Sequence, residues 1–176
     1  MTQKSIVFMD RDGVINIDTG YPHKIEEFLF NKGIFSSAKY LIKLGYEIII
    51  VTNQSGIGRG YFQLEDFIIL NNWMLNQFKK NKIEILDVFY CPHSPDDDCF
   101  CRKPKPGLFK QALRKYNIDV KKSWMIGDKF DDIIAANYAG IENNILITSK
   151  KEIIKPIKIT KNIINSISLI DQIIKY

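Results

Sequence analysis

Short apolar runs rich in β-branched residues alternate along this chain with stretches of helical period, and that alternation leaves few folds open. Ser5–Met9, Glu47–Thr52, Ile85–Tyr90, Ser123–Ile126 and Asn144–Ile147 read as strands. Between them, Ile34–Leu44 reads as a helix stopped by Gly45. Gln63–Lys80 carries Phe67, Leu70, Met74 and Phe78 at spacings of three or four, which is an amphipathic helix. Gly107–Tyr116 and Phe130–Ala139 are helical too, the latter closing at Gly140, and a last helix is expected over Ser166–Lys175. Strand-helix alternation predicts an α/β fold, a Rossmann-like parallel sheet with helices on both faces. At 176 residues the chain is expected to form a single domain, residues 1–176, with a core large enough to need no disulfides.

That architecture says where to look, because ligands of open parallel sheets bind beyond the carboxyl ends of the strands. The segments at those ends are Asp10-Arg11-Asp12-Gly13, Thr52-Asn53-Gln54-Ser55-Gly56, the run from Cys91, and Gly127-Asp128-Lys129. Asp10 and Asp12 alone would fit a capped turn before Gly13. With Asp128 at the same edge, three carboxylates repel one another unless a cation compensates, and oxygen-only ligation favours Mg²⁺. An Asp held against such an ion can attack phosphorus, while a second carboxyl protonates the leaving oxygen and later deprotonates water. The hydroxyl of Thr52 and the ammonium of Lys103 suit the charge that develops on the phosphoryl oxygens.

All three cysteines fall close together with a histidine, as Cys91, His93, Cys99 and Cys101. These four donors fit a tetrahedral structural Zn²⁺ with no open position for chemistry. The run continues into Arg102, Lys103 and Lys105, a cationic stretch suited to a phosphate. With no secretory pattern and clustered thiols, a cytoplasmic protein is expected, its cysteines reduced or on metal. There is no apolar run long enough for a membrane span. The net charge of +5 comes from scattered lysines, with an excess at Lys150, Lys151, Lys155, Lys158 and Lys161 that reads as solvated surface, so neither nucleic acid nor membrane is an expected partner. His23 reads as a solvent-facing loop residue and Trp73 and Trp124 as core aromatics. The turn of Gly56, Gly58, Arg59 and Gly60 lacks the lysine of a Walker loop.

The set Phe8-Met9-Asp10-Arg11-Asp12-Gly13-Val14, Val51-Thr52-Asn53-Gln54-Ser55, Arg102-Lys103-Pro104 and Gly127-Asp128-Lys129-Phe130-Asp131-Asp132 resembles the four motifs of the haloacid dehalogenase superfamily. The zinc loop narrows the resemblance to the branch of histidinol-phosphate and heptose-bisphosphate phosphatases, and the match runs to about Ile147. The resemblance implies a minimal cap, Asp10 as nucleophile and Asp12 as general acid/base. It implies Mg²⁺ held by Asp10, the backbone carbonyl of Asp12, and Asp128, and a phosphoryl group stabilised by Thr52 and Lys103. Arg102 would take a second, distal phosphate. Asp18, Thr19, Gly20 and Tyr21 would line the sugar site with Asn53, Gln54 and Ser55, and Lys129 would lie near the phosphate or metal. Asp132 would orient Lys103, with a weaker claim for Asp131. The implied reaction is removal of the 7-phosphate of D-glycero-D-manno-heptose 1,7-bisphosphate by a monomer, in nucleotide-heptose synthesis for surface polysaccharide. Histidinol phosphate is the alternative substrate; Gly58-Arg59-Gly60 and Lys105-Pro106-Gly107 favour the heptose by resemblance. A phospho-accepting regulatory domain of receiver type would need neither Asp12 as a base nor a zinc knot, and a zinc-held protein-binding module would leave the acids unexplained.

Overall fold

The computed structural model describes residues 3–147 and the backbone of 162–164. In chain order the elements are β1 (Ile6–Met9), α1 (Ile34–Lys43), β2 (Glu47–Asn53), α2 (Ser55–Gly58), α3 (Leu64–Lys80), β3 (Ile85–Cys91), α4 (Gly107–Lys115), β4 (Trp124–Gly127), α5 (Phe130–Tyr138), β5 (Asn143–Ile147) and β6 (Asn162–Ile164). The described strands form one sheet in the order β3-β2-β1-β4-β5-β6, and every pairing is parallel.

The period-2 alternation of strand side chains assigns β1 to both layers of the core. Val7 and Met9 pack with Ile34, Leu41, Ile48, Ile50, Leu70, Met74 and Phe78, under α1 and α3. Ile6 and Phe8 pack on the other face with Ile49, Val51, Leu108, Phe109, Ile133 and Ala136, under α4 and α5. Trp73 and Trp124 are partly buried against the first layer. Gly45 follows α1 with φ at +89°, the left-handed conformation that ends a helix and that side chains with a Cβ resist.

The five expected strands and four of the five expected helices are present, with ends shifted by a residue or so. Asn53, Cys91 and Gly127 are the last residues of their strands rather than the first of the loops. The short helix α2 and the strand β6 are additions to the sequence reading. The helix expected over Ser166–Lys175 and the lysines from Lys150 to Lys161 lie outside the described residues. No helix among the described residues is long and apolar enough to cross a membrane.

Strand order fixes the site. β1 is central, in register with β2 (Met9 opposite Ile50) and with β4 (Met9 opposite Ile126). The chain runs from β1 to β2 and β3 on one side, then crosses back to β4 on the other, and this reversal of strand order opens a crevice at the carboxyl edge. Asp10 sits there, its backbone N–H donating to the Ile126 carbonyl at 3.0 Å.

Candidate active site

At the end of β1, Asp10 is buried, and Lys103 reaches it from the loop before α4. The Lys103 ammonium, 2% exposed, has three partners: Asp10 Oδ1 at 2.9 Å, Asp132 Oδ1 at 2.6 Å and the Val51 carbonyl at 2.8 Å. Asp132 stands at the first turn of α5, where its other oxygen accepts from the Lys129 N–H at 3.1 Å and caps the helix. Asn53 pins the Lys103 backbone on both sides, accepting from its N–H at 3.0 Å and donating to its carbonyl at 3.1 Å. Asp10 Oδ1 also accepts from the Arg11 N–H at 2.8 Å, so both contacts fall on one oxygen.

Carboxylate oxygens of Asp10, Asp128 and Asp132 lie within 4.8 Å of one another. Burial, opposed by Lys103 and reinforced by Asp132, Asp12 and Asp128, pushes the Asp10 carboxyl up to about 8. Burial likewise lifts Asp128 to about 6 against the pull of Lys129. Burial lowers the affinity of Lys103 for its proton, but the charges of Asp10 and Asp132 more than reverse this, so the ammonium is held firmly. Gly13, at φ +91°, lets the loop close on Asp128: a Cβ there would stand 2.3 Å from Asp128 Oδ2.

Asp12 faces the same crevice on a different set of partners. Arg11 forks onto it through Nε (3.1 Å) and Nη2 (3.0 Å to each oxygen), Asn16 donates at 3.0 Å, and Gln54 donates at 3.0 Å. The Gln54 amide also donates to Thr52 Oγ1 at 2.8 Å, beneath the pocket floor.

The pocket has a volume of about 310 Å³. Its wall gathers Asp10, Asp12, Asp18, Gly20, Tyr21, Asn53, Gln54, Ser55, Arg102, Lys103, Lys129, Asp131 and Asp132. Thr52, Thr19 and Asp128 are absent from that lining; Thr52 is buried under Gln54, and Asp128 belongs to the acid cluster. Arg102 Nη1 is buried with no hydrogen-bond partner. Lys129 bridges to Asp18 at 3.1 Å, and Tyr21 meets Tyr61 edge-to-face at 4.9 Å. His23 lies on a loop, partly exposed and outside the pocket lining, in keeping with the expectation. Its ring stacks on Phe62 at 5.2 Å and Nδ1 lies 3.0 Å from the Tyr21 carbonyl, because the loop folds back onto the segment after α2.

The second cluster sits on the loop after β3. Cys91 Sγ is 3.2 Å from Cys101 Sγ and 3.5 Å from Cys99 Sγ, and His93 Nδ1 lies 3.1 Å from Cys101 Sγ. Tetrahedral zinc bonds of about 2.3 Å place thiolates roughly 3.7 Å apart, so four donors turned toward one point at these separations fit that ion. The loop is braced by Gly58 of α2, whose N–H donates to the Pro92 carbonyl at 2.8 Å.

Residues 100–162 match a family described as HAD-hydrolase-like. A D-glycero-alpha-D-manno-heptose-1,7-bisphosphate 7-phosphatase of Photorhabdus laumondii is 46% identical over 149 residues, 81% of either chain. A D-glycero-beta-D-manno-heptose-1,7-bisphosphate 7-phosphatase of Pasteurella multocida is 40% identical over 179 residues, covering 98% of this chain and 97% of its own. The chain belongs to the heptose-1,7-bisphosphate 7-phosphatase family. A crystal structure of a D,D-heptose 1,7-bisphosphate phosphatase from B. bronchiseptica, complexed with magnesium and phosphate, superposes with a TM-score of 0.86 at 26% identity over 97% of this chain and 98% of that one.

For a member of the heptose-bisphosphate phosphatase family, the acid cluster passes a direct test of fit to Mg²⁺. Asp128 Oδ1 is buried without a partner, and the cluster holds more negative charge than Lys103 offsets. Asp132 is committed to Lys103 and the Lys129 N–H, which leaves Asp10 and Asp128 as the acids free for an ion. Sequence reasoning passed over Arg11 and Asn16. The available signal was an arginine between two acids in an otherwise apolar run, since a buried arginine needs a carboxylate.

Proposed function

We propose that this chain removes the 7-phosphate of D-glycero-D-manno-heptose 1,7-bisphosphate through an aspartyl phosphate on Asp10. The observation that carries this reading is the pairing of cations in the pocket. Lys103 is already spent on Asp10 and Asp132, whereas Arg102 has a buried nitrogen with no partner. One phosphate at Asp10 accounts for the first; a second anion on the same substrate accounts for the second, and a planar guanidinium suits it. The names of relatives at 40–46% identity support the heptose.

In the first half-reaction Asp10 Oδ2 bonds to phosphorus, the ester bond breaks, and Asp12 gives its proton to the departing sugar oxygen. In the second, water attacks phosphorus, the bond to Asp10 breaks, and Asp12 takes the water's proton. Lys103 keeps Asp10 in place and offsets charge on the phosphoryl oxygens, while Thr52, outside the lining, holds the Gln54 amide. Asp10, Asp128 and the carbonyl of Asp12 would hold Mg²⁺, which when bound cancels the repulsion between carboxylate and phosphate. Cys91, His93, Cys99 and Cys101 would hold structural Zn²⁺, fixing the loop that presents Arg102 and Lys103. Asp18, Gly20, Tyr21, Asn53, Gln54, Ser55 and Lys129, which line the pocket, would form the sugar side of the site. The enzyme would act in the cytoplasm, as a monomer.

Side-by-side kcat/KM values for the heptose bisphosphate and for histidinol phosphate test this reading. A preference of at least about 10²-fold for the bisphosphate is expected, since an unpaired buried charge discriminates strongly. Equal values, or a preference for histidinol phosphate, would overturn the assignment.

A further inference from the structure

Arg11 is among the most deeply buried charged side chains of the protein, 1% exposed, and neither its sequence motif nor its charge requires that. Its guanidinium lies over two aromatic rings, 5.9 Å from the Phe28 centroid and 5.8 Å from that of Phe67. Nη2 also donates to the Pro22 carbonyl at 3.2 Å, and Nη1 is left without a hydrogen-bond partner. Stacking of this kind offsets part of that loss and stops the group from turning. The rings and the carbonyl together give the fork a single orientation.

What the fork holds is Asp12, whose side chain remains 15% exposed at the pocket. Five contacts reach its two oxygens, three from Arg11, one from Asn16 and one from Gln54, and in every one the nitrogen donates. Held by three side chains at once, the carboxyl group cannot turn, and its oxygens keep one place at the edge of the pocket.

We propose that Arg11 is a positioning residue for the second half-reaction, fixing the Asp12 carboxylate to receive the proton of the water that cleaves the phosphorylated Asp10. The inference rests on the aspartyl-phosphate reading above. In that step the water oxygen bonds to phosphorus, the bond from phosphorus to Asp10 breaks with its electron pair returning to the carboxylate, and the proton moves to Asp12. Formation of the phosphoenzyme depends on Arg11 much less whenever the leaving group departs without a proton.

The experiment follows p-nitrophenyl phosphate hydrolysis by stopped flow, since p-nitrophenolate leaves unprotonated. Arg11→Met should release about one p-nitrophenol per site at close to the wild-type rate. The steady rate per bursting site should then be about 10²-fold slower, the size of effect expected when a general base loses its alignment. Burst amplitude counts folded sites, so partial misfolding leaves the steady rate per burst unchanged. Arg11→Lys keeps the charge but not the fork and should fall between, roughly tenfold slow; it carries the test if Arg11→Met does not fold. Parallel loss of burst and steady rate, or an unchanged steady rate, would overturn the proposal. A wild-type protein that turns over p-nitrophenyl phosphate but not the heptose bisphosphate would count against the substrate reading alone, and the burst would still report on Arg11.

Discussion

Replacing Asp132 by Ala tests whether the buried triad around Lys103 is arranged as described. Lys103 and Asp132 are each 2% exposed and meet at 2.6 Å. Removing one partner of a buried pair costs about 3–5 kcal/mol, because the remaining charge loses its compensation. Here Asp10 at 2.9 Å and the Val51 carbonyl at 2.8 Å still hold the ammonium, which points to the lower end, about 3 kcal/mol. Loss of the cap on the Lys129 N–H adds up to about 1 kcal/mol. For a chain of this size that corresponds to a fall in Tm of roughly 6–16 °C. Urea unfolding with zinc present and magnesium absent measures the cost, and kcat should fall together with stability because Lys103 is no longer aimed. The double variant Lys103→Met/Asp132→Ala should be less destabilised than the sum of the single variants by at least about 1 kcal/mol. A cost below about 1 kcal/mol for Asp132→Ala, or strict additivity, would refute the reasoning.

Stripping zinc with a strong chelator should lower both Tm and activity, and Cys99→Ala should do the same without a chelator; near-ultraviolet dichroism and turnover read the two effects, and full activity without zinc would contradict a structural knot. Arg102→Ala should raise KM for the sugar bisphosphate by roughly 10–100-fold, the worth of a charged hydrogen bond, with a much smaller change for a sugar monophosphate. Raised carboxyls at Asp10 (about 8) and Asp128 (about 6) mean that the metal-free fold binds more protons than the unfolded chain. Its stability should therefore be greatest near pH 4 as far as these groups decide it, and decline as pH climbs through 6 toward 8. Added Mg²⁺ should raise Tm more at pH 8 than at pH 5, as thermal melts across that range would show.

The parts of the site that lie close in sequence were readable, and those assembled across it were not. Asp10 and Asp12 follow one strand, and Cys91, His93, Cys99 and Cys101 share one loop, so spacing alone exposes them. Parallel topology then brings Asp128 and Lys103 to the same edge without further information. Arg11 is different: its burial depends on Phe28 and Phe67 arriving from distant segments, and nothing local distinguishes it from a surface arginine. The family resemblance implies Gln54 as a sugar-site residue, and it does line the pocket. The structure turns its amide nitrogen onto Asp12 and Thr52, a choice made by packing at the end of β2. The stacking of His23 on Phe62 was unreadable for the same reason, since Phe62 comes from beyond α2. The strand β6 is only three residues long and depends on pairing with β5, which local propensity does not register.

The central claim is that this protein takes one particular phosphate from a heptose bisphosphate. Phosphorus NMR of D-glycero-D-manno-heptose 1,7-bisphosphate incubated with the Mg²⁺-loaded protein tests it directly. The account predicts that the 7-phosphate resonance disappears into inorganic phosphate while the anomeric 1-phosphate persists, and that Asp10→Asn abolishes the change. Loss of the anomeric phosphate, or turnover that survives Asp10→Asn, would contradict it.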